Sequence, residues 1–426
     1  MHEPSAFDAA AILIVLAAAL GYLNHRLLRL PSTVGLTLMG LVASLLVILY
    51  DGLLPSSTLA ETLSGFLTEL DFHATLMEGM LSFLLFAGAM HVDWSEMRKG
   101  RWPILFFSTV GVLISTVLVG YAFQFLTSAL GIEIPLIWCF VFGALISPTD
   151  PVAVMAVMKR AAMPDTLQAT VAGESLFNDG VGVVVFSILL SIAVGAEPFS
   201  LGTAAQHFAQ EALGGALLGL VAGWIAFRAM RSIDDYSVEV MISLAVVMGG
   251  YSLALALHVS GPVAMAVAGL LIGNHGVKHA MSDTTQDYLI KFWALIDEIL
   301  NAVLFLLIGL EVIALAIDGR LLLAGLGAIV IVMLARAIAV GVPLRAMRRG
   351  IDLGPLAFPT LVWGGLRGGI SVALALSLPE SDIRTALLVA TYAVVLFSVL
   401  VQGGTIGQLI ERLKARGSAS DPVVPA

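Results

Sequence analysis

Apolar runs close to 20 residues long recur from one end of this sequence to the other, and that recurrence restricts the fold more than any motif in it. As a helix, a run of about 20 residues crosses the ~30 Å hydrocarbon core of a bilayer while pairing its own backbone N–H and C=O groups. Thirteen runs can be delimited, at 8–28, 33–50, 74–92, 103–127, 135–158, 167–195, 206–228, 238–257, 260–274, 291–316, 321–344, 355–378 and 384–411. The composition fits no other solvent. Of 426 residues, 59% are hydrophobic and 12% charged, and mean hydropathy is +0.99; soluble domains carry about 25% charge. The predicted class is an all-α polytopic membrane protein.

Several function classes fall away. A net charge of −9 opposes binding to nucleic acid. No Walker-type phosphate loop is present, so ATP is not the expected energy source. The single cysteine, Cys139, allows no intrachain disulfide and reads as a small packing residue. The first run follows Glu3 and Asp8 without a basic region, so it reads as a span rather than a leader. The histidines lack metal-ligand spacing. The 52–73 linker carries Glu61, Glu69 and Asp71 and is expected outside the bilayer, and 417–426 reads as a short polar tail.

Lysine and arginine orient the spans. With the N-terminus outside, 17 basic residues fall in inside loops and only Arg320 and Arg384 in outside loops. The C-terminus is then cytoplasmic. A weak repeat relates Phe83–Gly88 to Phe305–Gly309 at an offset of roughly 220. That offset carries the third span onto the tenth and the fifth onto the twelfth. Seven spans is an odd number, so the copies point opposite ways, an architecture of transporters with a site near the midplane.

The fifth and twelfth spans are unfit to be continuous helices. Ser147-Pro148-Thr149-Asp150-Pro151 places two prolines in one stretch, which deprives the carbonyls of Ala144 and Ser147 of helical partners. Freed carbonyls and Asp150 suit a cation; a simple proline kink repaired by Thr149 and Asp150 is the blander reading. Gly364-Gly365-Leu366-Arg367-Gly368-Gly369 reads either as close helix packing or as a break facing Asp150, and Arg367 favours the break. In the sixth span, Glu174 and Asn178 share one helical face, and Ser175 and Asp179 the adjacent one. Mid-bilayer charge costs about 2.5–3.5 kcal/mol on insertion scales, so acids there imply a use, or else a polar knot locking helices together. Arg336, midway along the eleventh span, needs a partner, and Glu174 is the best candidate. Glu78 reads as an outer-edge acid or an extra ligand, Glu298 and Asn301 as packing or accessory groups, and Glu311 as an interface residue.

Together, Thr149-Asp150-Pro151, Gly173-Glu174-Ser175-Leu176-Phe177-Asn178-Asp179-Gly180, Arg336 and Gly365-Leu366-Arg367-Gly368 resemble the cation:proton antiporter-1 family, which includes prokaryotic NhaP proteins and animal Na⁺/H⁺ exchangers. The resemblance covers nearly the whole chain, 1–416. It implies inverted repeats of spans 1–6 and 8–13, with crossed, discontinuous spans 5 and 12 in a core and the remainder forming a homodimer interface. It implies that Asp179 binds the cation and the proton in turn. Asp150, Ser175, the Thr149 carbonyl and Glu78 would complete the cation site. Asn178 would hold the unwound segment, Glu174 would pair with Arg336, and the Asn-Asp pair would signal electroneutral exchange. One departure is Phe86-Ala87-Gly88, where many relatives place an acid before the glycine. The expected activity is exchange of Na⁺ or Li⁺ for H⁺ across the plasma (inner) membrane, with no cofactor beyond the transported ions. K⁺/H⁺ exchange is the nearest alternative. A channel or sensor is a remoter one, since a sensor would usually carry a sizeable cytoplasmic domain.

Overall fold

A computed structural model describes residues 6–53, 63, 65, 79–195, 201–276, 281–315, 318–347 and 353–418. Among them the regular structure is helical, joined by turns and short loops, with one isolated antiparallel bridge. In order, the helices are α1 (Ala6–Leu23), α2 (Ser32–Leu53), α3 (Leu81–Met90), α4 (Trp94–Lys99), α5 (Arg101–Ser108), α6 (Val110–Ala129), α7 (Leu136–Leu145), α8 (Val152–Arg160), α9 (Asp165–Ala193), α10 (Leu201–Met230), α11 (Tyr236–Ala256), α12 (Gly261–Leu271), α13 (Asp283–Leu310), α14 (Gly319–Met347), α15 (Ala357–Trp363), α16 (Gly369–Leu376), α17 (Asp382–Phe397) and α18 (Gly404–Ser418).

Length and composition vouch for eight membrane-crossing helices among the described residues. The other five predicted spans are short, broken or more polar: α3, the α7–α8 pair, α12, α13 and the α15–α16 pair. α13 starts eight residues before the predicted limit, because its first two turns are polar and cap on Ser282, whose hydroxyl accepts from Thr285 N. The upstream part of the third span, with Glu78, lies outside the described residues.

Side-chain size, more than polarity, decides which face of a helix turns inward. α14 exposes Leu322, Leu326, Val330, Leu334 and Val342 and buries Ala324, Gly325, Ala328, Ala335, Arg336 and Ala339. Lipid takes the large apolar groups without cost, and small residues let the backbones approach.

The repeat seen in the sequence reappears as a repeated contact. α2 packs on α13 so closely that a Cβ on Gly40 would sit 2.9 Å from the Leu306 carbonyl and 3.2 Å from Gly309 Cα. α12 packs on α3 the same way: a Cβ on Gly269 would sit 2.6 Å from the Phe86 carbonyl and 2.8 Å from Ala89 Cβ. Leu306 and Gly309 each stand 220 residues after Phe86 and Ala89. A second-half helix thus meets α3 as a first-half helix meets α13, which is what a two-fold relation between the halves produces.

Candidate ion-binding site

The site is built on two gaps. α7 stops at Leu145, because Pro148 and Pro151 cannot donate and each crowds the preceding turn. Helix resumes at Val152. α15 stops at Trp363 and α16 begins at Gly369. The two non-helical stretches cross, and Asp150 N donates to the Leu366 carbonyl at 2.8 Å. Glycine permits this approach. A Cβ on Gly368 would lie 2.5 Å from Asp150 Oδ2, and one on Gly365 would lie 2.5 Å from Arg336 Nε.

Four of the five charges around the crossing are compensated locally. Asp150 Oδ1 accepts from Val152 N at 2.9 Å, at the positive N-terminal end of α8. Arg367 donates to the Ser147 carbonyl and, at 3.0 Å, to that of Pro148, just past the negative C-terminal end of α7. Arg336 forms a bidentate ion pair with Glu174 (Nη2 to Oε2 3.0 Å) and donates from Nη2 and Nε to the Leu361 carbonyl at 2.9 and 3.1 Å. Both partners of that pair are buried. The exception is Asp179. It is 7% exposed, and its Oδ1 has no hydrogen-bond partner.

One expectation changes here. The carbonyl of Ser147 was read as free for a cation, yet the Arg367 guanidinium occupies it. Ala144's carbonyl is taken by Ser147 N at 3.1 Å. The carbonyl left toward the acids is that of Thr149, which accepts from Ser175 Oγ. Asn178 grips the same residue: its Oδ1 accepts from Thr149 N at 3.2 Å and its Nδ2 donates to Thr149 Oγ1 at 2.8 Å. The two faces of α9 therefore divide the work. Glu174 and Asn178 hold Arg336 and the unwound segment, while Ser175 and Asp179 line a cavity.

That cavity, of about 730 Å³, has Thr149, Asp150, Ser175, Asp179, Gly368 and Gly369 at its inner end. Its mouth is lined by His91, Asp93, Glu96, Lys159 and Asp165, in segments predicted to lie on the basic side. At the mouth Glu96 bonds Lys99 at 2.5 Å and Thr166 at 2.8 Å, and these hydrogen bonds hold its carboxyl below the usual range. Past the crossing lies a dense apolar cluster that includes Phe142, Leu145, Phe186, Phe305, Leu307 and Val372, all buried.

Asn301 and Asp297, on α13, line the cavity, while Glu298 is exposed. Asp297 was not singled out from the sequence; its spacing of four from Asn301 was the signal that both face one way. Glu311, expected at an interface, is buried at 6% exposure, because α13 ends in a 3₁₀ turn that tucks it inward.

The profile described as sodium/hydrogen exchanger, transmembrane, matches residues 13–412. The chain is 47% identical over 416 residues to the Na⁺/H⁺ antiporter NhaP of Pseudomonas aeruginosa, covering 96% of this chain and 97% of that one. It is 35% identical over 408 residues to the Na⁺/H⁺ antiporter NhaH of Halobacillus dabanensis, covering 94% and 97%. The solved structure of the sodium proton antiporter MjNhaP1 from Methanocaldococcus jannaschii at pH 8 superposes with a TM-score of 0.76 at 21% identity, over 96% of this chain and 98% of that one. The broken, crossed helices, the repeat and these likenesses converge on one assignment: the chain belongs to the sodium/hydrogen exchanger family.

Proposed function

We propose that this chain exchanges Na⁺ (or Li⁺) for H⁺ across the plasma membrane, one for one, through Asp179. The observation that carries the reading is the unpartnered, buried Asp179 Oδ1 at the inner end of a cavity open at one side. Around it, three carboxylates (Asp150, Glu174, Asp179) face two guanidiniums (Arg336, Arg367), which leaves one negative charge. One proton or one monovalent cation cancels it. A carboxylate withdrawn from water gains from either, and the two compete for the same lone pairs. Only a neutralised site crosses the apolar cluster cheaply, because an uncompensated charge in a medium of low polarity is costly. That rule couples the two fluxes.

Oxygen donors are at hand for the cation. Asp179, Asp150, the Ser175 hydroxyl and the Thr149 carbonyl gather hard oxygen ligands, and the bond from Ser175 to Thr149 keeps the last two adjacent. Asn178 and Arg367 shape the segment that presents them, with Pro148 and Pro151 keeping it unwound. The mouth faces the cytoplasm on the basic-loop rule, so the conformation is inward-open. The apolar cluster beyond the crossing suits a carrier rather than a channel. The protein works as a homodimer, with α1 and α2 among the helices bearing exposed apolar faces.

The test is reconstitution into proteoliposomes with an imposed pH gradient. Na⁺ or Li⁺ added to wild type dissipates the gradient, at the same rate with the membrane potential clamped at any value. Asp179→Asn abolishes the response while the protein elutes and melts as wild type. Na⁺-dependent proton flux persisting in that variant would refute the role, and a response to K⁺ alone would reassign the ion.

A further inference from the structure

The cavity contains one acid that neither the crossing nor the mouth accounts for. Asp297 lies on the α13 wall, on one helical face with Asn301 and Leu304. Leu304 marks the depth of the crossing: a Cβ on Gly369 would sit 2.8 Å from its Cγ. Seven residues of helix place Asp297 about 10 Å short of that point, on the way in. Two of the three acids of the mouth are engaged, and the third, Asp165, sits in the first turn of α9. Asp93 caps α4 through Ser95 N and Glu96 N, and Glu96 is bonded to Lys99 and Thr166. Asp297 pairs with no cationic side chain among the described residues; its neighbour is the neutral Asn301, whose Nδ2 donates to the Asp297 backbone carbonyl at 2.9 Å and also lies within reach of its carboxylate. Lys159, farther out on the facing wall, repels an entering cation. A negative charge in a low-dielectric funnel raises the local concentration of cations.

Resting on the exchange reading above, we propose that Asp297 is a positioning residue for the transported cation, holding it against the α13 wall of the cavity before it reaches Asp150 and Asp179. It sets the apparent affinity for Na⁺ on the cavity side and leaves turnover alone. Its carboxylate acts by attraction over about 10 Å, so its removal weakens apparent affinity about two- to tenfold. The effect is one-sided, because a cation arriving from the other face reaches Asp179 from beyond the apolar cluster.

The experiment compares wild type, Asp297→Asn and Asp297→Glu in everted and right-side-out membrane vesicles, reading the Na⁺ dependence of proton flux. The expected result has three parts. Asp297→Asn raises KM for Na⁺ about two- to tenfold on the cavity side only, with kcat within about twofold of wild type. The rise shrinks at high ionic strength. Asp297→Glu restores most of the affinity. An equal KM rise on both sides, a fall in kcat at unchanged KM, or an unchanged KM in Asp297→Asn each overturns the proposal while leaving exchange at Asp179 intact. Absence of Na⁺-dependent flux in wild type would sink the exchange reading instead. If Asp297→Asn yields no folded protein, Asp297→Glu decides alone: near-wild-type KM and kcat support the charge, and lost affinity overturns it.

Discussion

The ion pair between Arg336 and Glu174 is the part of the site most readily separated from chemistry. Both groups are buried, so removing one partner strands a charge, at about 3–5 kcal/mol. Glu174→Ala is expected to lower the unfolding temperature sharply in detergent. Adding Arg336→Gln should recover at least about 1 kcal/mol of the loss, as pairs in contact couple by about 0.5–3 kcal/mol. A double variant no more stable than either single one would mean that the two side chains act apart. This pair was legible in the sequence, since an arginine midway along a span must find an acid. Asp297 was not. It borders Glu298, which is exposed, and only its spacing of four from Asn301 hinted at what the folded cavity makes plain. The partner of Arg367 was equally hidden, because a carbonyl leaves no trace in residue identity.

The breaks in the fifth and twelfth spans were legible from proline and glycine, although the reason for the glycines was not. Two readings were open, a functional break and close packing, and the structure shows both at once: Gly365 and Gly368 sit in the gap and also admit Arg336 and Asp150. Gly368→Ala therefore tests the crossing as a unit. Its Cβ would overlap the Asp150 carboxylate, so the Asp150 side chain or the crossing backbone must shift. Overpacking of this kind costs about 1–3 kcal/mol, and a shift near 1 Å at a working site can lower rate about a hundredfold. Exchange should fall at least about tenfold with the fold intact. Exchange at the wild-type rate would show that the crossing tolerates a methyl group and that close approach there is incidental.

Over the whole molecule, the class, span pattern, repeat and orientation were legible in the sequence, while the cavity was not, because it forms between segments far apart in the chain. Sidedness can be checked chemically. Cys139, the single cysteine, is fully buried, so the native chain offers a nearly silent background. Gln168→Cys places a thiol on the cavity wall. A membrane-impermeant maleimide should label it from the cytoplasmic face and not from the outside, and Na⁺ should slow the reaction. Labelling from outside alone would reverse the orientation drawn from the basic loops.

The near-cancellation of charge at the crossing, where helix ends and guanidiniums leave a deficit of one, bears on what such a protein can do for a cell. A potential of 100 mV moves a net charge with about 2.3 kcal/mol. A loaded site without net charge takes none of it. If exchange is one for one, as proposed, it comes to rest when the sodium ratio across the membrane equals the proton ratio, so each unit of pH difference sustains about a tenfold sodium difference, or about 1.4 kcal/mol. By the same rule, a cell more acidic inside than its surroundings and no richer in sodium would gain sodium through this route, however strongly its membrane were polarised. Under the proposed one-for-one exchange, sodium leaves against its gradient only where the interior is the more alkaline side.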